Sequence, residues 1–66
     1  MKQLQVGDYV TRDGTDVHLV TYLTDDGTFG DFKCIREPSE KWTDVGDTES
    51  NISRRYTFLS YTDDFV

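Results

Sequence analysis

Two Asp-Gly pairs bracket one β-branched run in this chain, and that arrangement limits what the chain can fold into. The stretch TRDGTDVHLVTYLTDDGT occupies residues 11–28. An Asp-Gly pair favours positive φ at both central positions of a turn, the requirement of a two-residue type I′ hairpin. Between the pairs, Val, Leu, Thr and Tyr alternate with a period of two, which is the spacing of a strand and not of a helix. Val17, Leu19, Thr21 and Leu23 share one side; His18, Val20 and Tyr22 share the other. The stretch therefore predicts the second strand of a hairpin, long and curved, with apolar residues on both sides.

The same reading extends along the chain. Residues 4–12 predict a first strand. Residues 31–37 predict a third, with Phe32 and Cys34 on one face, Lys33 and Ile35 on the other, and Pro38 as its stop, since proline cannot donate to a ladder. Gly30 is placed to relieve a bend or bulge. Residues 38–41 predict an exposed loop, and residues 42–46 a short fourth strand. Residues 47–53 fit a single 3₁₀ turn better than a helix, because Asp47 and Ser50 lack the Glu of a capping box. Residues 54–61 predict a fifth strand. Five short strands in a chain of 66 residues predict one all-β domain over residues 1–61, with 62–66 as an acidic tail. Closure into a small barrel would hide both sheet edges.

VGDYV opening into a hairpin, with Gly7-Asp8-Tyr9-Val10 at the first strand and DVHLV at the second, resembles the SH3-like small barrels in the broad sense that includes KOW and Tudor types. The resemblance spans residues 4–61. It implies a five-stranded barrel with a 3₁₀ turn before the last strand. The Ala-Leu-Tyr-Asp-Tyr stretch of signalling SH3 domains is absent, so the resemblance does not imply binding of proline-rich peptides. The basic, glycine-rich loop of KOW domains is absent too, so it does not imply RNA contacts. In size, acidity and the stretches GTDVHLV and RRY, the chain is also similar to small phage and prophage proteins. That similarity implies an accessory protein acting on a host protein in the host cytoplasm.

Composition narrows the function classes. A domain of about 60 residues buries only about 60% of its unfolded surface, which leaves room for a thin core and none for a deep substrate cleft. Thirteen Asp and Glu against seven Lys and Arg give a net charge of −6. Such a surface repels phosphate backbones and suits solubility, a basic protein partner or mimicry of nucleic acid, with a plain solvated acidic surface the favoured reading. The single Cys34 cannot form an intramolecular disulfide, which points to a reducing compartment such as the cytoplasm. No apolar run approaches the roughly 20 residues of a membrane span.

Candidate chemistry is sparse. Asp13, Asp16, Asp25, Asp26 and Asp31 cluster at turns, but their spacing does not match a calcium loop. His18 and Cys34 fall on adjacent strands, where a Cys–His dyad could activate a thiolate, but a buried Cys34 and a half-exposed His18 is the favoured reading. Zinc would need four ligands, and there is one His and one Cys. No cofactor or metal is expected, and the chain reads as a non-enzyme.

The aromatics carry the functional expectation. Tyr22, Phe29 and Trp42 fall near strand ends and loops, where aromatic rings form cation–π cages or stack on bases, although filling the core of so short a chain is the favoured reading for any one of them. Trp42 follows the charged pair Glu40-Lys41 and is the strongest of the three as a binding residue. Arg54 and Arg55 supply local positive charge. On a strand they would point to opposite faces. The sequence thus predicts a small acidic module that binds a protein through Trp42, Tyr22, Phe29, Arg54 and Arg55. A nucleic-acid-associated regulatory barrel is the alternative, and it requires Arg12, Lys33, Arg54 and Arg55 to converge on one face. A homo-oligomer is a further use for exposed aromatics and an unpaired edge.

Overall fold

A computed structural model of the chain describes residues 3–60. The acidic tail expected at 62–66 lies outside the described residues. Five antiparallel strands form one sheet: β1 (Tyr9–Thr11), β2 (Val17–Leu23), β3 (Phe29–Arg36), β4 (Thr48–Ile52) and β5 (Thr57–Ser60). A 3₁₀ turn, Ser53–Arg55, joins β4 to β5. The hydrogen-bonded order is β4-β3-β2-β1-β5. Among the described residues no helix is long and apolar enough to cross a membrane.

The connection between β4 and β5 dictates the shape of the sheet. These strands are its two edges, and only residues 53–56 separate them. In a flat sheet the edges of five strands lie about 19 Å apart, four spacings of about 4.8 Å. A 3₁₀ turn advances only about 2 Å per residue. The sheet must therefore coil until its edges approach, and the molecule measures 30 × 24 × 20 Å. No ladder links β4 to β5 among the described residues, so the sheet coils without closing.

Inside the coil lie Val10 of β1, Val20 of β2, Phe32 of β3 and Tyr56 after the 3₁₀ turn, with Leu4 and Leu23 packed against them. Phe32 and Tyr56 stack with centroids 3.8 Å apart and planes 12° from parallel. β3 follows the expected alternation: Phe32 and Cys34 are buried, and Lys33 and Ile35 are exposed. β2 does not alternate cleanly, because its register against β3 shifts between Val17 and His18 and again between Val20 and Tyr22. The second shift is a bulge beside Gly30. A Cβ on Gly30 would collide with the Tyr22 carbonyl oxygen and would lie 2.7 Å from Leu23 Cδ2.

Several local expectations are corrected. The first strand is shorter than residues 4–12, because the Asp8 amide donates to the Gln5 carbonyl and turns the chain just before β1. The first Asp-Gly pair is not a type I′ turn. Gly14 has φ 93°, but Asp13 is not in the left-handed region, where Lys41 is the one non-glycine among the described residues. The connection runs from 12 to 16 and is organised by a side chain, as shown below. Residues 42–46 are not a strand; the chain turns there, with the Asp47 amide donating to the Asp44 carbonyl, and β4 begins at Thr48. The 3₁₀ turn sits at 53–55, at the end of the expected segment and not across it. Pro38 is buried, although the loop that follows it is exposed. Arg54 and Arg55 lie on the 3₁₀ turn, so the opposite-faces rule for strands does not separate them.

The crowding at Gly30 sets a stability prediction. Gly30→Ala should destabilise the domain by about 1–3 kcal/mol, since the added methyl meets backbone that cannot rotate away. Gly14→Ala meets nothing within 4 Å, and its cost, about 1 kcal/mol, comes from φ alone. Urea denaturation of the two variants should rank them in that order.

Candidate functional site

The β1–β2 connection is built around one carboxylate. Asp16 is buried, and its Oδ1 accepts from the Thr11 hydroxyl at 2.7 Å and from the Arg12 and Asp13 amides at 3.0 Å each. The Arg12 amide also reaches Oδ2 at 3.1 Å. A charged acceptor strengthens each of these bonds and satisfies amides that a longer turn would leave unpaired. Next door, Asp13 is exposed and accepts from the Thr15 amide at 2.8 Å and the Thr15 hydroxyl at 2.7 Å.

His18 stands beside this anchor. It is 0% exposed, and its Nδ1 lies 2.7 Å from Asp16 Oδ2. The contact is short but poorly aligned for an N–H donor, and Nε2 has no partner. Burial holds the His18 imidazole below its ordinary range; the Asp16 carboxylate, and more weakly Glu49, pull the other way. The half-exposed His18 expected from the sequence is thus a fully buried one. Its Cα is paired with that of Cys34 across β2 and β3, as expected for adjacent strands. Cys34 is buried as well, and desolvation pushes its thiol up, away from thiolate. His18 itself contacts Asp16, Trp42 and Tyr56.

Trp42 closes the cluster. The loop of residues 37–47 crosses to the β1–β2 connection, where the Ser39 amide donates to the Thr15 hydroxyl at 3.1 Å. Lys41, at φ 53°, turns the chain so that Trp42 falls onto the body. Its ring stacks on His18 at 5.6 Å and 9°, its Nε1 donates to Asp13 Oδ2 at 2.8 Å, and the Arg12 guanidinium carbon lies 4.8 Å from its centroid. Arg12 also pairs with Glu49 at 2.8 Å. The Trp42 hydrogen bond, with the two from Thr15, holds the Asp13 carboxyl well below the usual carboxylate range. Trp42 keeps 37% of its surface exposed. The His18 ring meets Tyr56 edge-on at 5.5 Å. A run of rings thus passes from Trp42 at the surface through His18 and Tyr56 to Phe32 in the core.

The other expected binding residues lie elsewhere. Tyr22 and Phe29 are 54% and 53% exposed and line one open groove with Asp31, Ser50 and Ile52. Cross-strand pairing produces the groove: Tyr22 faces Asp31, Asp31 faces Ser50, and Phe29 faces Ile52. Asp31 accepts from the Ser50 hydroxyl at 2.6 Å. Phe29 and Ile52 also border a second groove with Arg54. Tyr22, Phe29 and Arg54 therefore belong to one continuous surface, Arg55 stands exposed beside Arg54, and Trp42 belongs to the separate loop cluster. Four of the five carboxylates expected at turns accept hydrogen bonds, and Asp31 stands within β3 and not at a turn. Asp13, Asp16 and Asp31 are described above, and Asp26 accepts from Thr24 and Thr28. Among the described residues, no group of three or more His, Cys, Asp or Glu is placed to hold a metal ion.

The Asp16–His18–Trp42 cluster escaped the sequence reading. Trp42 lies 29 residues from the Asp13 that accepts from it, and no local spacing encodes that pairing. A local sign did exist, an Asp five residues after a Thr at the far side of an Asp-Gly turn, where it can cap the amides between.

Comparison of the chain with protein-family models, with curated proteins and with solved structures gave no match.

Two predictions follow from the buried groups. Asp16→Ala should cost about 3 kcal/mol or more, because it orphans two turn amides and a hydroxyl and strips His18 of its neighbour. A domain of 66 residues has about 3–10 kcal/mol in total, at roughly 0.05–0.15 per residue. Asp16→Ala should therefore show a large unfolded population by circular dichroism, and Asp16→Asn a smaller one. Tyr56 tests the core. Its hydroxyl is buried without a proper hydrogen bond, and burial, then Glu49, pushes the phenol up to about 12. A raised acid is stable in its neutral form, so that stabilisation is full below about pH 10 and is lost as pH rises towards 12, by up to about 3 kcal/mol. Tyr56→Phe should be neutral or stabilising at pH 7, and should flatten this alkaline loss in a melting series.

Proposed function

We propose that this protein is a small acidic binding module with no catalytic role, an SH3-like barrel in the broad sense, which engages a basic protein partner through its exterior. The barrel reading is supported by the strand order β4-β3-β2-β1-β5, with the 3₁₀ turn between the two edge strands, and by the coiling that this connection enforces. The binding reading rests on one observation: Tyr22, Phe29 and Ile52 come together from three strands on an open face, with Tyr22 and Phe29 more than half exposed. A small domain short of apolar residues gains nothing in its own core from rings placed outside it. Exposed aromatics of this kind are enriched at binding hot spots. The net charge of −6 favours encounter with a basic surface. Cytoplasmic action on a host protein, as the similarity to phage proteins implies, is part of the same proposal.

Two sharper versions draw less support. Mimicry of nucleic acid needs free carboxylates in a phosphate-like array, whereas most of the carboxylates expected at turns already accept bonds from Thr, Ser and backbone groups. A nucleic-acid-binding barrel needs four converging cations, and Arg12 is committed to Glu49 and Trp42.

The test is capture from a lysate by the immobilised protein, with elution by a salt gradient. The expected result is a basic protein retained by the wild type and by Trp42→Ala, and lost from the Tyr22→Ala/Phe29→Ala double variant, which should keep its β-sheet spectrum. Retention indifferent to the double variant, or elution of nucleic acid alone, would contradict the reading.

A further inference from the structure

His18 is a buried, titratable group that the binding reading does not use, and its surroundings suit it to a separate task. The ring is sealed from solvent, with Nε2 unpartnered. The titratable and charged groups that bear on it come from every neighbouring element: Arg12 at the end of β1, Asp16 in the turn, Cys34 on β3, Glu49 on β4 and Tyr56 after the 3₁₀ turn. Asp16 and Glu49 favour a positive imidazole, Arg12 opposes it, and loss of hydration outweighs them all. A proton arriving at Nε2 would find no acceptor in the interior.

Most of the walls around the ring cannot move without dismantling the core. Tyr56 is stacked on Phe32, and Cys34 and Asp16 are buried. Trp42 alone is a partly exposed wall carried on a loop, and it is also the ring stacked flat on His18. The loop's ends are pinned by the Gly46 amide on the Cys34 carbonyl and the Ser39 amide on the Thr15 hydroxyl, and between them Trp42 is held by surface contacts, its bond to Asp13 and the Arg12 guanidinium, and by its stack on His18.

We propose that His18 is a proton-operated latch on this loop: protonation at Nε2 releases Trp42 from the body, exposing the indole, while the sheet stays folded. The sign follows from the closed state preferring neutral His18. In the open state the imidazole regains hydration and takes a proton more readily than in the closed state. Closure is therefore favoured at high pH and is lost as pH falls through the imidazole range. The chain has one His and one Trp, so both partners can be observed without labels.

The experiment follows the His18 ring protons by NMR, and the Trp42 emission wavelength and acrylamide quenching, from about pH 7.5 to about pH 5, with far-UV circular dichroism in parallel. The expected result is a His18 titration midpoint below 6.5, a red shift and increased quenching of Trp42 over the same interval, and an unchanged β-sheet spectrum. His18→Phe, which keeps a ring against Trp42 and removes the proton, should hold Trp42 docked throughout. If that variant does not fold, the wild-type titration decides alone. A His18 midpoint at or above 6.5, or Trp42 accessibility that changes only when the sheet spectrum is lost, would overturn the proposal.

Discussion

The buried carboxylate of Asp16 is the constraint on which the rest of the structure depends. A short β1 of three residues cannot hold itself against β2 by ladder bonds alone. Asp16 supplies the missing order by gathering the Thr11 hydroxyl and the next two amides onto one charged group. Burial of a carboxylate is costly unless its lone pairs are filled, and here they are filled by the turn it organises. The same residue stands against His18, and so places the ring on which the Trp42 loop rests. One anion thereby couples a local turn to a contact with a loop about 30 residues away.

Around that anchor, a thin core is extended by stacking. A domain of this size cannot bury enough aliphatic surface to be robust. Rings in offset or edge-on contact contribute about 0.5–1.5 kcal/mol per pair beyond their buried area. The sequence Trp42, His18, Tyr56, Phe32 carries such contacts from the loop to the interior. The arrangement recruits a titratable ring into the stack, so that the loop's attachment responds to protons in a way that an all-hydrocarbon stack would not. The exterior has a different logic. Much of the acidity is engaged locally, by Thr and backbone amides in the turns and by Ser50 on β3's Asp31, so the net charge overstates the number of carboxylates available to a partner. The exposed face of Tyr22, Phe29 and Ile52 carries the recognition reading.

The all-β class, the paired β2 and β3, the bulge near Gly30 and the inward Phe32 and Cys34 were legible because they follow from alternation and turn chemistry within a few residues. β4 was misplaced for a physical reason. Residues 42–46 have strand-like composition, but Trp42 gains more by reaching back to Asp13 and His18 than by joining a ladder, and that contact is non-local. The type I′ turn failed similarly, since Asp16 imposes a longer connection than Asp13-Gly14 would adopt alone. Strand alternation groups His18 with Val20 and Tyr22, and the register shift between Val20 and Tyr22 parts the buried pair from the exposed Tyr22. Tyr22 and Phe29 could be named singly from the sequence. Their meeting with Ile52 and Arg54 required the register of three strands.

Native-state hydrogen exchange at the Arg12 and Asp13 amides tests the anchor most directly. Both lie in a surface connection where amides ordinarily exchange fast. If Asp16 holds the fold together, these two should exchange as slowly as the core amides of Val20 and Phe32, opening only with the whole domain. Fast exchange at Arg12 and Asp13 beside slow exchange in the core would show the turn to be an ornament of the sheet, and the account built on Asp16 would fail.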